Sequence, residues 1–254
     1  MIFRSANPAL SRVQRMYCET DSVGTAKYSG IALKSIYFIV LTFIAAVGSF
    51  IGSVFLIEQG NIGLLIGLLI GSSIVSIVCA FVAILNPYAT KIAGSIYAVA
   101  QGFVMGFTAL MFWSLGFSGE VFSALFATIG VFGIMMILYA TGIIRIGSGF
   151  RKFMISALIA AIVVNLLMFI ISLFSASLSN LFYGNGWFSI GISIIMVVLA
   201  SLMILLDLDR MTQIVQGGLD KKYEWIAAFG LLITLVWLYM EFLRLFSKLA
   251  SRRR

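Results

Sequence analysis

The chain has 254 residues, of which 62% are hydrophobic and 10% are charged. A soluble domain has about 45–50% apolar and about 25% charged residues, so this composition excludes an ordinary soluble domain and predicts an all-α membrane protein. The formal net charge is +8. Basic residues that flank membrane spans explain this charge, and we expect no nucleic-acid partner.

Seven apolar windows are long enough to cross a bilayer, which takes about 20 residues of helix. They are Ile36–Leu56, Ile62–Leu85, Ile92–Leu115, Val121–Ile144, Phe153–Phe174, Phe188–Leu206 and Trp225–Phe246. We predict a cytoplasmic N-terminal tail over residues 1–35, a single transmembrane domain over residues 36–249 and a basic C-terminal tail over residues 250–254.

Lysine and arginine are unequally distributed between the two sides of the predicted bundle. The N-terminal tail has five, and the second, fourth and sixth loops have one, three and three, whereas the other three loops have none. The positive-inside rule therefore predicts a cytoplasmic N-terminus. Seven spans place the C-terminus outside despite its basic residues, and we expect the last span to cross because Trp225–Phe246 is long enough.

Two polar residues mark the third and fourth spans. Gln101 precedes Gly102 and lies near Gly106, a pair of small residues that allows close helix contact, so helix packing is the favoured interpretation of this segment. The alternative is that Gln101 belongs to an ion path. Arg145 closes the fourth span. It is equally well explained as a cation that reaches the membrane interface and as the partner of an acid on the sixth span.

The sixth span ends with two acids and a cation. Asp207 and Asp209 are two residues apart and point in roughly opposite directions on a helix. Asp207 shares a face with Arg210, and Asp209 shares one with Gln213. Either one acid faces the bundle, where ionisable groups usually line an ion path, or both mark the aqueous end of the helix.

A further acid, Glu241, lies inside the last apolar run. It is sixteen residues, roughly 24 Å, past Trp225, and Arg244 follows it by about one turn. Two interpretations remain open: an acid at depth on an ion path, and a local ion pair near the outer interface.

These motifs together resemble the Bax inhibitor-1 family of seven-span proteins over residues 30–250. The resemblance rests on the number of spans, on Gln101–Gly106, on the acid that ends the sixth span and on Leu238–Phe246, which is similar to the family's seventh-helix pattern. Asn7–Leu10 and Tyr139–Arg145 are similar to a bacterial branch.

The resemblance implies a seventh helix surrounded by the other six, in a bacterial inner membrane. It also implies a passive, pH-sensitive leak of calcium or another cation, closed by a latch of two acids on helices six and seven that share a proton. Asp207 and Glu241 are then the candidate calcium contacts. We expect neither enzymatic activity nor a cofactor.

The partner of Asp207 in such a latch stays open between three residues. Glu241 matches the local family pattern but lies 34 residues later. An alternative alignment on Trp225–Leu231 places Thr234 at the partner's position, and Arg145 is the third candidate. Depth favours Thr234 or Arg145. We therefore predict that Asp207 lies nearer to one of them than to Glu241, and that Glu241 occupies the outer half of the last helix.

A hypothesis of a different class is a membrane scaffold. In this interpretation the basic tail over residues 1–35 binds a membrane protease or a stress-response partner, and the acids at depth are dispensable.

Overall fold

The computed structural model describes residues 24–144, 146–174, 184 and 186–253. Most of the predicted N-terminal tail lies outside the described residues, and so does Arg145, one of the candidate partners of Asp207. The described part is all-helical apart from one isolated bridge between extended residues.

In the described part of the chain, seven helices are long and apolar enough to cross a membrane, which confirms the predicted number. They are α1 (Tyr28–Glu58), α2 (Ile62–Leu85), α3 (Thr90–Ser114), α4 (Ser118–Ala140), α5 (Ser148–Phe174), α6 (Trp187–Gln216) and α7 (Tyr223–Arg253). Helices are the natural solution for such segments because they satisfy every backbone polar group internally in lipid.

The first and last helices extend beyond the windows that hydropathy marks. At 31 residues each, α1 and α7 are roughly 46 Å long, whereas the hydrocarbon core is about 30 Å thick. Hydropathy marks only the apolar middle of a helix, and polar end turns continue it into the interface. Residues 28–35, predicted to belong to the tail, are therefore the first two turns of α1.

The turn between α1 and α2 shows how the short connections are made. Gly60 adopts φ 74°, a left-handed conformation that glycine reaches without steric cost. The N–H of Asn61 donates to the carbonyl of Leu56 at 2.9 Å, and the N–H of Gly60 donates to that of Ile57 at 3.0 Å. This pair of bonds ends α1 and reverses the chain before α2 begins at Ile62.

Helix α7 is the centre of the bundle. The family resemblance implies that all six other helices surround it, whereas five of them do in the described residues, since α5 packs only against α6. Helix α7 packs against α1, α2, α3, α4 and α6, and 67% of the residues in its apolar window are buried. Its buried side chains, including Leu231, Leu238 and Leu243, belong to the main apolar core. The outer helices then turn apolar side chains outward, towards lipid.

The predicted close approach at Gly102 and Gly106 is confirmed, and the partner is α1. A Cβ atom on Gly102 would lie 2.5 Å from the carbonyl oxygen of Thr42, and one on Gly106 would overlap the carbonyl of Ala46. Ser49 adds a hydrogen bond to the carbonyl of Phe103 at 2.8 Å. Helices α1 and α3 thus form a tightly packed pair with little freedom to move apart.

Helix α5, unlike α1 and α3, is loosely packed against the rest of the bundle. Among the described residues it packs only against α6, and 6% of its apolar window is buried. A gap therefore separates α5 from α3 and α7, and the candidate site lies along this side of the molecule.

Candidate functional site

Asp207 is buried near the end of α6, with 5% of its surface exposed. The Oγ1 hydroxyl of Thr234 on α7 donates to the Oδ2 of Asp207 at 2.5 Å. Thr234 also lies 3.2 Å from the carbonyl of Gly230, one turn earlier on its own helix. Because a hydroxyl has a single hydrogen, the shorter contact to Asp207 takes it. The prediction that Asp207 lies nearer to Thr234 or Arg145 than to Glu241 is therefore confirmed through Thr234.

Asp207 faces a cavity of about 260 Å³ between α2, α5, α6 and α7, which we call the acid cavity. Its polar lining consists of Asp207, Thr234 and Arg210, so the predicted shared face of Asp207 and Arg210 is confirmed. The rest of its lining is apolar apart from Gly230: Ile84, Leu158, Met203, Ile214, Ile226, Ala227, Phe229 and Ile233. A carboxylate held at this depth by a neutral donor is the main chemical feature of the cavity.

Glu241 lies seven residues beyond Thr234, roughly 10 Å along the axis of α7, with 2% of its surface exposed. Its Oε1 accepts a hydrogen bond from the Nε1 of Trp237 at 3.0 Å and forms an ion pair with the Nη1 of Arg244 at 3.2 Å. The local Glu–Arg pair is thus present. It lies on the part of α7 nearer to its C-terminal end, away from Asp207 and Thr234.

Glu241 lines a second cavity of about 540 Å³, which we call the cleft. It lies between α3, α5, α6 and α7, and Arg244 and Lys248 line it together with Glu241. The acid cavity and the cleft therefore follow one another along the same seam of α5, α6 and α7.

One face of α7 joins the two cavities. Thr234, Trp237, Glu241, Arg244 and Lys248 follow one another at intervals of three or four residues, the spacing of a single helix face. Trp237 is the apolar residue in the middle of this series.

Trp237 and the apolar residues packed around it separate the acid cavity from the cleft. Trp237, Leu158 and Leu199 all pack against the buried cluster of Met154, Met203 and Leu206. Leu158 and Met203 line the acid cavity, and Leu199 lines the cleft. We call these six residues the apolar layer. It lies between Asp207 on α6 and Glu241 on α7.

Asp209 points away from Asp207, as the sequence predicts. Its Oδ2 accepts hydrogen bonds from Arg151 on α5 at 2.7 Å and from Gln213 at 2.6 Å. These contacts tie the ends of α5 and α6 together at the surface. Gln101, the remaining candidate, is half-buried on α3 and lines neither the acid cavity nor the cleft.

A third buried acid, Glu224 in the first turn of α7, was not foreseen from the sequence. Only 2% of its surface is exposed, and it forms an ion pair with the Nζ of Lys34 while accepting the backbone N–H of Lys27 at 2.8 Å. Lys34 also lies over the ring of Trp225, 4.9 Å from its centroid. Lys221 and Lys222, just before Glu224, are the partners that local spacing suggests. Spacing alone therefore does not reveal the pair with Lys34.

The residues before α1 are bound to the connection between α6 and α7. Ala26 donates its N–H to the carbonyl of Leu219 at 2.8 Å, and Lys221 donates to that of Gly24 at 3.0 Å. We call residues 24–27 the strap. It fixes the beginning of α1 to the two helices that carry Asp207 and Thr234.

Lys222, in the same connection, bridges to a neighbouring turn. Its Nζ lies 3.0 Å from the hydroxyl of Tyr88 and 2.9 Å from the Oδ2 of Asp220. The hydrogen bond with Tyr88, followed by that with Asp220, raises the pKa of Lys222 above its usual value. Lys222 therefore stays cationic in any physiological buffer.

Seven membrane-length helices in the described residues, with α7 buried among the others and acids enclosed on α6 and α7, define a multi-pass membrane protein. The chain matches the Bax inhibitor 1 like family over residues 7–251, and it belongs to that family. It is also similar to two proteins described as uncharacterized membrane proteins of Streptococcus pyogenes. The one from serotype M3 (strain MGAS315) is 30% identical and the one from serotype M6 (strain MGAS10394) is 29% identical, each over 70% of this chain and 73% of the relative.

Proposed function

We propose that this protein is a passive, pH-sensitive leak for calcium or another cation in the bacterial inner membrane, with its N-terminus in the cytoplasm and Asp207 as its gate. The observation that carries the proposal is the buried carboxylate of Asp207, which lines a cavity at the end of a membrane-spanning helix. Ionisable groups at such positions are costly and usually belong to ion or proton paths.

The hydrogen bond between Thr234 and Asp207 is the latch in this mechanism. A hydrogen bond to an ionised carboxylate contributes about 1 kcal/mol more than one between neutral groups. Protonation of Asp207 removes this difference and weakens the attraction of Arg210, which lines the same cavity. A change of about 1 kcal/mol shifts a two-state equilibrium roughly fivefold. The leak should therefore increase as the pH falls.

The apolar layer is the barrier of the closed state. Cations that enter the acid cavity meet Trp237 and its apolar neighbours before they reach the cleft. Hydrophobic constrictions of this kind block ions because water leaves them. Helix α5, which packs only against α6 among the described residues, is the element that can move with the least loss of contacts. Glu241 is then the second acid of the path, on the far side of the layer.

The direct test is calcium flux in liposomes that contain the purified full-length chain, followed with a trapped fluorescent indicator over acidic to neutral pH. In Asp207→Asn the flux should no longer depend on pH, because the side chain cannot ionise. Asp209→Asn is the matched control and should keep the pH response, since Asp209 pairs with Arg151 outside the cavity. A wild-type pH profile in Asp207→Asn would exclude Asp207 as the sensor.

The scaffold hypothesis keeps one observation in its favour, which is the strap. A partner that binds the N-terminal tail would act next to residues attached to the connection between α6 and α7. Deletion of residues 1–23 removes the tail and leaves the strap. A scaffold should then lose co-purification with its membrane protease, yet tolerate Asp207→Asn combined with Glu241→Gln. A leak should show the reverse pattern.

A further inference from the structure

The cleft has a polar end and an apolar body. Its polar end consists of Glu241, Arg244 and Lys248 on α7 and Ser193 on α6. Its body is apolar and is formed mainly by side chains of α5 and α6: Ala160, Ala161, Val164, Met168, Ile192, Ile195, Met196 and Leu199. A volume of about 540 Å³ is within the range of small-molecule sites. This separation into two ends is the shape of an amphiphile.

The polar end has an excess of positive charge. Glu241 is paired with Arg244 at 3.2 Å, and Lys248 donates to the Oγ of Ser193 at 2.9 Å. Lys248 also lies 3.4 Å from the carbonyl of Ser189, and among the described lining residues two cations therefore accompany one carboxylate. The guanidinium of Arg244 is only partly buried and has donors beyond the one that contacts Glu241. The electrostatic complement of this end is an anion.

The depth of the polar end matches that of a lipid headgroup. Ser193 lies six residues, roughly 9 Å, from Trp187, the first residue of α6. Trp187 is exposed and has the guanidinium of Arg252 3.4 Å from its ring centroid. Tryptophan and arginine exposed at a helix end are typical of the membrane interface. The cations thus lie just below the headgroup region.

The cleft is reached from the bilayer. On α5, Ala160, Val164 and Asn165 are exposed although they line it, because α5 stands apart from α3 and α7 in the described part of the chain. In a membrane such a gap is filled by hydrocarbon, since an empty space would lose dispersion contacts on both walls.

We propose that the cleft binds an anionic phospholipid of the bilayer, with its phosphate on Arg244 and Lys248 and one acyl chain between α5 and α6. The inference does not depend on the leak; if the cleft is also part of the cation path, the lipid occupies it in the closed state. The proposal assigns the binding of a phosphate, through charge-assisted hydrogen bonds from two cations, to a site with an apolar wall that fits a chain.

The test is lipid retention by the purified full-length chain, measured by native mass spectrometry in a neutral detergent. Phosphatidylglycerol and phosphatidylcholine with identical acyl chains are added at equal concentration. We expect roughly fivefold greater retention of phosphatidylglycerol, the ratio expected from about 1 kcal/mol of net charge interaction. Glycerol phosphate, which lacks the chains, should not compete.

Two variants each remove one of the cations proposed to bind the phosphate without leaving a carboxylate unpaired. Lys248→Gln and the double variant Glu241→Gln with Arg244→Gln should each reduce the preference for phosphatidylglycerol. Arg252→Gln is the matched control, a cation at the same end of α7 that stacks on Trp187 rather than lining the cleft. It should retain the preference.

A further variant tests the apolar body with all charges in place. Ala161→Phe fills the cleft and should lower the retention of both lipids. Circular dichroism and thermal unfolding verify that each variant is folded. Equal retention of the two lipids by the wild type, or an unchanged preference in Lys248→Gln together with unchanged retention in Ala161→Phe, would overturn the assignment.

Discussion

Thr234 of α7 donates its hydroxyl to Asp207 of α6 at 2.5 Å, and this bond links the two helices that end and begin at the same connection. Family patterns match Glu241 to the partner's local sequence, yet Glu241 bonds to Trp237 and Arg244, which lie about one and about three turns farther along α7 than Thr234. The contact that can respond to a proton is therefore one between an acid and a hydroxyl. In this pair only the carboxyl group of Asp207 can gain or lose a proton.

Replacing Thr234 tests the latch from the side of the donor. Thr234→Val keeps the shape of the side chain but leaves Asp207 without its donor, at a cost of about 1–3 kcal/mol to the closed arrangement. We expect a higher calcium flux in liposomes and a weaker pH response. Thr234→Ser retains the hydroxyl and should behave as the wild type does. Equal fluxes for the valine and serine variants would argue against the latch.

Trp237 tests the apolar layer. Trp237→Ala should open the space between the acid cavity and the cleft and increase the flux at every pH, because the gap becomes wide enough for water. Trp237→Phe keeps an apolar ring and should preserve a low flux. Both variants lose the hydrogen bond to Glu241, so the comparison isolates the volume of the side chain. The layer would not be the barrier if alanine and phenylalanine gave the same flux.

The buried ion pair between Lys34 and Glu224 tests the junction of α1 with α7. Removing one partner leaves a buried charge unpaired, which costs about 3–5 kcal/mol. Lys34→Met should therefore lower the thermal unfolding temperature strongly. The double variant Lys34→Met with Glu224→Leu should recover much of the loss, since it leaves no charge uncompensated. Equal destabilisation in the single and double variants would show that the charges do not act as a pair.

Two glycines provide a matched test of helix packing. Gly106→Ala places a methyl group against the carbonyl of Ala46 and should destabilise the fold by about 1–3 kcal/mol, the usual cost of overpacking. Gly52→Ala adds the same atom where nothing lies within 4 Å, and should be neutral or slightly stabilising. Thermal unfolding in the same detergent measures both, and similar values would exclude close packing as the role of Gly106.

Hydropathy was sufficient for the number of helices, the spacing of small residues for the close packing at Gly102 and Gly106, and the helical period for the opposite directions of Asp207 and Asp209. Helix geometry was also sufficient to choose Thr234 over Glu241, because the rise per residue fixes how far along α7 each side chain lies. These features depend on distances along one helix or on composition, which a single sequence contains.

Contacts between distant segments were not predictable in the same way. Glu224 is 190 residues from Lys34, and nothing in the local spacing relates them. The two cavities depend on how far α5 stands from its neighbours, a quantity set by the packing of whole helices. The pairing of Glu241 with Arg244 was foreseeable, but its place beside Lys248 in a shared cleft was not.

The strap contacts and the Lys34–Glu224 pair can form only when the beginning of α7 is present, so the insertion of α7 is the last step of assembly. The residues at the beginning of α1 leave the ribosome first, whereas their partners at the beginning of α7 are synthesised about 190 residues later. Until then α7 is missing from the centre of the bundle, and Lys34 lacks its acid. Insertion of α7 fills that centre and joins the beginning of α1 to the beginning of α7. A chain that stops before α7 would present both defects to the cell's proteases, and its rapid degradation is the expected consequence.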